Sequence, residues 1–168
     1  GAAQRSGGAG GGVGTYKRLL VEKAARQFLL TARYARIMAI EQQRPYELLI
    51  DPNNQGFFLA TAEPDPETGD SRKVAVRDYF CKPVEFEGDV GFEDVHLETY
   101  LEASSDEAGA EQKIVFWPNG SAESAVLQIG DGKTHYSIAL VAATGKANLY
   151  PGVTTDIKTA SIDLDVQE

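Results

Sequence analysis

Sulfur and imidazole groups are scarce in this sequence of 168 residues, which has one cysteine, Cys81, and two histidines, His96 and His135. A single cysteine excludes an internal disulfide, a cysteine-based zinc site and a CxxC redox motif. The two histidines leave little material for a metal cluster, and no G-x-S-x-G sequence marks a serine nucleophile. We therefore predict no catalytic residue, no metal site and no cofactor, and a protein that is not an enzyme.

Long apolar runs are missing too. No stretch of about 18 apolar residues occurs, so no segment of this sequence is predicted to cross a membrane.

Positive charge is in short supply: 16 Lys and Arg residues stand against 25 Asp and Glu, a formal net charge of −9. This balance argues against nucleic acid as the main partner, because phosphate binding depends on clustered Lys and Arg. The charge is also uneven, since residues 1–44 carry +6 and residues 45–168 carry −15. A basic opening segment on an acidic body suggests an interaction surface or a membrane-proximal end. The alternative is a solvated helix face attracted to the acidic remainder of the same chain.

The first 14 residues contain seven glycines, and Val13 is their only large apolar residue. Such a composition cannot build a packed core and is typical of a flexible linker. We therefore predict a linker over 1–14 and a single domain over 15–168, with a helix at 15–44 and a β-sheet region at 45–168.

Residues 15–44 predict one long helix because they lack Gly and Pro, begin at a candidate N-cap, Thr15, and stop before Pro45. On a helical wheel, one apolar stripe is centred on Phe28. Its members are Val21, Ala24, Ala25, Phe28, Ala32, Ala35 and Ala39. Because the stripe is mostly alanine, we expect this amphipathic helix to lie close to the surface on which it packs.

A second apolar group lies on the far side of the same helix, where Leu30, Tyr34 and Ile37 are interleaved with Arg26 and Arg33. A helix with apolar residues on two sides usually has two partners. Either the sheet or a long loop of this chain covers that side, or another protein chain does.

After Pro45 the apolar period changes from 3.6 to 2, and turn signals recur. Strands are predicted at 46–50, 57–62, 73–80, 83–86, 96–101, 114–117, 125–129, 134–141, 146–149 and 156–166. The first two form a hairpin, and 114–117 is predicted to pair with 125–129 across Asn119-Gly120, since Asn-Gly accepts positive φ at both turn positions. One N-terminal helix followed by antiparallel strands predicts an α+β fold.

Several of these segments, in their order and spacing, resemble one known family. They are ARYAR at 32–36, AIE at 39–41, PYELLID at 45–51, GFFL at 56–59, IVF at 114–116, PNGS at 118–121, YSIALV at 136–141 and TGK at 144–146. Together with the preceding helix they resemble the GspH/FimT type of minor pseudopilin of the type II secretion system, a type IV pilin-like family. The resemblance covers about half of the chain, and residues 63–113 and those after Tyr150 match nothing in it.

The resemblance implies a pilin-like fold and a non-enzymatic subunit of a pseudopilus that supports protein export. It also implies the periplasmic domain of an inner-membrane-anchored bacterial protein. Such proteins start with an apolar helix that a prepilin peptidase cleaves and methylates, and this sequence lacks that segment, which would be its only link to the membrane. The implied partners are other pseudopilins and, in addition, secreted protein cargo.

In such a filament the N-terminal helices bundle at the centre. Leu30, Tyr34 and Ile37 would then contact neighbouring subunits, while Arg26, Arg33 and Arg36 would pair with acidic surfaces.

Two other functions remain open. The first is a minor type IV pilin involved in DNA uptake or pilus biogenesis, and a DNA-capturing pilin of the FimT sort should present a basic patch. The second is an extracellular carbohydrate-binding β domain, in which Trp117, Tyr136 and Tyr150 would stack on a ligand.

Overall fold

A computed structural model describes residues 2–51, 53, 55–98 and 111–155. One helix, α1, spans Ala2–Gln42. The nine strands are β1 (Tyr46–Ile50), β2 (Gly56–Pro64), β3 (Ser71–Ala75), β4 (Val84–Glu85), β5 (Gly91–Leu97), β6 (Lys113–Phe116), β7 (Ala125–Gly130), β8 (His135–Val141) and β9 (Lys146–Pro151). The predicted α+β class is confirmed. The strand predicted at 156–166 lies outside the described residues.

The helix begins at Ala2, well before the predicted start at Thr15, so the backbone of the glycine-rich segment is helical rather than a linker from residue 2 onward. Each glycine disfavours a helix by about 1 kcal/mol relative to alanine, which is why the glycine-rich composition predicted a linker. Composition alone placed this boundary wrongly.

At its other end α1 stops at Gln42, two residues before the predicted end. Gln43 adopts a left-handed conformation with φ of 53°. The Arg44 N–H then donates to the Ala39 carbonyl at 3.3 Å, and the Gln43 side chain donates to the Ile40 carbonyl at 2.6 Å. These bonds satisfy carbonyls of the last turn in a Schellman-type cap, here with glutamine where glycine is usual.

The predicted alanine stripe is confirmed as the buried side of α1. All seven of its members are at most 5% exposed. Phe28 lies between the two sheets, with its ring centroid 5.0 Å from that of Phe57 on β2 and 5.8 Å from that of Phe92 on β5. The helix therefore closes a core to which both sheets contribute.

The first sheet has the order β3-β2-β1-β6, with β4 also pairing with β2. The predicted β1–β2 hairpin is present and antiparallel, with Leu48 opposite Leu59. Gly56 leaves room for β4, because a Cβ atom there would collide with the Val84 carbonyl.

The second sheet has the order β5-β7-β8-β9, and all of its pairs are antiparallel. The strands predicted at 125–129, 134–141 and 146–149 are confirmed as β7, β8 and β9. A β-bulge interrupts the β5–β7 register between Phe92 and Asp94.

The predicted pairing of 114–117 with 125–129 is wrong, because β6 pairs with β1 in the first sheet and β7 belongs to the second. The turn itself forms: the Gly120 N–H donates to the Trp117 carbonyl at 2.9 Å. Only Gly120 has positive φ, at 91°, so Pro118 and Asn119 are the central residues of the turn. The predicted turn needed positive φ at both of its central residues. Proline cannot adopt positive φ, so a turn with Pro118 as its first central residue is of a different type.

The segment after this turn closes the outer edge of β6. The Glu123 N–H donates to the Val115 carbonyl, and the Glu123 carboxylate accepts the Val115 N–H, both at 3.0 Å. A side chain thus occupies the place of a further strand. Burial raises the pKa of Glu123 although the Val115 N–H opposes that effect.

Candidate assembly surface

The side of α1 opposite the core carries a line of large aliphatic side chains in contact with water. Leu19, Leu30 and Ile37 are 54%, 61% and 47% exposed. Spacings of 11 and 18 residues bring them within about 20° of one another around the helix. The sequence analysis singled out Leu30 and Ile37 but missed Leu19, which this spacing identifies.

Tyr34 differs from these residues because a loop of the same chain covers it. Its hydroxyl donates to the Asp78 carboxylate at 2.7 Å. That hydrogen bond, with burial as a smaller cause, raises the pKa of Tyr34 to about 12 and holds the pKa of Asp78 below its usual value. Of the two covers considered for this side, a loop covers Tyr34, while Leu30 and Ile37 stay uncovered.

The covering loop, residues 76–83, was predicted to be mostly strand. Instead β3 ends at Ala75. The Asp78 carboxylate accepts the N–H groups of Phe80 and Cys81, both at 2.8 Å, and the Asp78 N–H donates to the Cys81 carbonyl at 2.9 Å. A side chain that takes up backbone N–H groups competes with a strand ladder. These bonds fix the loop in one shape.

The fixed loop presents two aromatic rings to solvent. Tyr79 is 90% and Phe80 is 80% exposed, and their rings meet edge to face with centroids 5.2 Å apart. Cys81, the next residue, is buried, and burial raises its pKa to about 11, so it is an unreactive thiol.

An open groove of about 340 Å³ lies between this loop and α1. Leu30 and Thr31 form its helix side, and Phe80 and Pro83 form its loop side. Leu30, Phe80 and Pro83 give the groove an apolar part in which a side chain of another molecule could bind.

The basic residues of α1 fall into two groups. Arg26 forms an ion pair with Glu22 one turn away, at 3.0 Å, and Arg33 is exposed with no ion pair in the described part of the chain. Arg36 points the other way: its Nε donates to the Thr144 carbonyl at 2.6 Å. The expectation that Arg36 meets a neighbouring subunit is thus corrected, because it joins α1 to the turn before β9.

The two histidines lie on the outer face of the second sheet, each beside a carboxylate. His96 Nε2 lies 2.9 Å from Asp94, and His135 Nδ1 lies 2.6 Å from Glu93. Burial opposes ionisation of Glu93, but hydrogen bonds from Gln128, His135 and the Gly132 N–H outweigh it and lower the pKa of Glu93.

Gln128 and Asp94 in this group hold the chain after β9. The Thr154 N–H donates to Gln128 at 3.0 Å, and its hydroxyl donates to Asp94 at 2.6 Å. In the part of the chain that the structure describes, no three His, Cys, Asp or Glu residues are grouped as metal ligands.

The three aromatic residues considered for sugar stacking do not share a platform. Tyr136 packs against the core, whereas Tyr150 pairs with Ser137 and lies on the opposite face of the second sheet. Trp117 belongs to the turn after β6.

Solved structures resemble this arrangement of one helix on two sheets. Two structures of the minor pseudopilin EpsH from the type 2 secretion system of Vibrio cholerae superpose with TM-scores of 0.56 and 0.58. The chain has a pilin-like fold. In these two superpositions it is 13% and 16% identical to EpsH, covering 78% and 81% of its own length and 96% and 97% of EpsH.

The type IV minor pilin FimU of Pseudomonas aeruginosa has the same fold. It superposes with a TM-score of 0.51 and 16% identity, over 78% of this chain and 88% of FimU. No protein-family model and no curated protein matches the sequence. The GspH-like pilin fold implied by the sequence segments is therefore confirmed at the level of fold. Among the described residues, no helix is long and apolar enough to span a bilayer.

Proposed function

We propose that this chain is a minor subunit of a type II secretion pseudopilus, a non-enzymatic protein that contributes to filament assembly and protein export. The observation that carries the proposal is the exposed aliphatic line of α1 on a pilin-like fold. A monomer gains nothing from holding three large aliphatic side chains in water along one helix.

The proposed contact is helix against helix in the centre of the filament. Burying one Leu or Ile side chain is worth about 1.5–3 kcal/mol before the costs of association. Leu19, Leu30 and Ile37 supply this term, and Arg26 and Arg33 beside them orient the approach of acidic subunits. Tyr34 contributes indirectly, by holding the loop 76–83 in place.

The location follows from the same proposal. The domain lies in the periplasm of a bacterium, and an apolar helix preceding this sequence anchors it in the inner membrane. Its partners are other pseudopilins, with secreted cargo as a possible further one.

A secretion assay tests the proposal in a strain whose own copy of the gene has been replaced. Leu30→Asp and Ile37→Asp in the full-length protein are expected to lower cargo release into the medium at least tenfold, because a carboxylate would have to be buried in the helix contact. Val141→Asp is the matched control, since Val141 is also exposed but lies on β8. The variant domains should keep the circular dichroism and melting temperature of the wild type. Full secretion by a folded Leu30→Asp, Ile37→Asp protein would refute the proposal.

A minor type IV pilin is the second candidate, because FimU shares the fold. Deleting the gene separates the two: loss of cargo release with intact pili favours the pseudopilus, and the reverse favours the pilus. A role in DNA capture has less support, since the cations of α1 flank the proposed helix contact. Salt-dependent DNA binding in a gel-shift assay would revive it.

A further inference from the structure

We infer that loop 76–83 is a second docking surface, and that its occupant is the acidic turn 65–70 of a second copy of this chain. The inference rests on the proposed function, because it names a surface through which an assembling subunit meets its neighbour. Its exposed rings belong to the loop, which adjoins the aliphatic line of α1 at the groove beside Leu30.

Loop 76–83 is held in place by hydrogen bonds although its largest side chains are exposed. Asp78 uses both carboxylate oxygens, on Tyr34 and on the Phe80 and Cys81 N–H groups, to fix a loop whose most prominent side chains reach water. Exposed rings on a fixed loop lose little conformational entropy on binding, which suits them to act as anchors. Phe80 also forms one wall of the groove beside Leu30, where a partner's apolar side chain or stem fits.

Charge complementarity points to the occupant. Arg77 and Lys82 flank the aromatic pair, both are exposed, and neither forms an ion pair within the described residues. Arg33 adds a third such cation on α1. Glu85 and Glu87 line the same groove, and Glu87 is paired with Lys23 at 2.9 Å. The unpaired cations beside the rings are therefore complemented by an acidic loop of another copy, whose residues 45–168 carry a net charge of −15.

The acidic turn 65–70 is the matching element. It is held by the Asp65 N–H to the Asp70 carbonyl at 2.7 Å and by the Gly69 N–H to the Asp65 carbonyl at 2.8 Å. Glu67 and Asp70 are exposed on it, and neither forms an ion pair within the described part of the chain. The cations and the anions are thus both presented on hydrogen-bonded loops.

The two surfaces lie at opposite ends of β3, a five-residue strand roughly 16 Å long. Across that distance the turn 65–70 cannot contact loop 76–83 of the same molecule. Two different patches meeting between copies form a head-to-tail contact, which repeats as an open row unless the rotation closes it.

Sedimentation velocity of the purified chain tests the inference across a concentration series at low and high salt. The wild type is expected to associate as concentration rises, and less so at high salt because exposed charges are screened. Tyr79→Ser with Phe80→Ser is expected to weaken association at least about tenfold, as loss of an aromatic anchor does. Tyr150→Ser, a similar change on the second sheet, is the control and should leave association unchanged.

Charge reversal identifies the occupant. Lys82→Glu and Glu67→Lys should each weaken self-association, and a mixture of the two variants should associate again, because one copy's new carboxylate meets the other's new ammonium. A wild type that stays monomeric, or a mixture that shows no recovery, overturns the inference. Neither result bears on the secretion assay of the α1 variants, so the two proposals fail separately.

Discussion

The two sides of α1 reverse the usual distribution of side-chain sizes. The enclosed side is built mainly from alanines, with Val21, Phe28 and Leu29 as its larger members. The side in contact with water carries Leu19, Leu30 and Ile37. Small residues are buried where the helix backbone lies close to both sheets, and large ones stay outside where the chain provides no cover.

This difference shows that exposure along α1 follows distance from the sheets rather than hydrophobicity. A close-packed interior leaves no volume for added methylene groups. The solvent side has no such restriction, so large aliphatic residues there contribute little to the stability of the monomer. Their use must be sought in association.

The largest expected effect is on the enclosed side. Phe28→Ala removes a fully buried ring that contacts Phe57 and Phe92, one from each sheet. We expect it to lower the free energy of unfolding by about 4 kcal/mol, through lost burial and the cavity left behind. Urea unfolding followed by circular dichroism measures this, and a loss below about 1 kcal/mol would show that Phe28 does not join the sheets.

A gain of volume on the same side tests the close approach directly. Ala35→Leu is expected to cost about 1–3 kcal/mol by overpacking. Arg33→Leu introduces the same side chain on the exposed side and should change stability by less than about 0.5 kcal/mol. Equal effects of the two substitutions in the same unfolding assay would remove the distinction between the sides.

Tyr34 lies between the two sides, and its effect is intermediate and depends on pH. Tyr34→Phe removes the hydrogen bond to Asp78, which we expect to cost about 1 kcal/mol near neutral pH. Because the pKa of Tyr34 is raised from 10.0 to about 12, the hydroxyl's contribution is fully present below pH 10. It declines as pH rises to about 12, where the unfolded chain has already lost the proton. The unfolding curves of wild type and variant should therefore differ at neutral pH and come together at alkaline pH.

The smallest effect is expected at Leu30. Leu30→Ala should shift the free energy of unfolding by no more than about 0.5 kcal/mol, because little of the side chain is buried in the monomer. Matched melting curves with strongly reduced cargo secretion would locate its role in assembly. A large loss of stability would instead mean that the exposed line supports the fold.

Local signals predicted most of the secondary structure. The alanine stripe follows from a 3.6-residue period, and the β1–β2 hairpin and the strands β8 and β9 follow from alternation and turn residues. All of these depend on neighbours a few positions apart. The assignment of β6 to one sheet and β7 to the other does not depend on such neighbours. The residues of the turn at Pro118-Asn119 are the same whether or not the strands on either side of it pair.

The candidate surface was predicted only in part, for a similar reason. The helical wheel predicts the exposure of Leu30 and Ile37, and Leu19 lies on the same line 11 residues before Leu30. The display of Tyr79 and Phe80 depends on Asp78, whose carboxylate takes up two backbone N–H groups and meets Tyr34 from another element. A contact between residues 44 positions apart leaves no periodic trace in the sequence.

Glu123 has a consequence for how copies of this chain meet. An open strand edge invites a strand of another molecule to add through main-chain hydrogen bonds, the route that leads to fibrous aggregates. At β6 the Glu123 carboxylate already occupies the Val115 N–H. A strand of another copy therefore cannot add to β6 at Val115 without displacing this carboxylate, so contacts between copies are directed away from this edge of the first sheet.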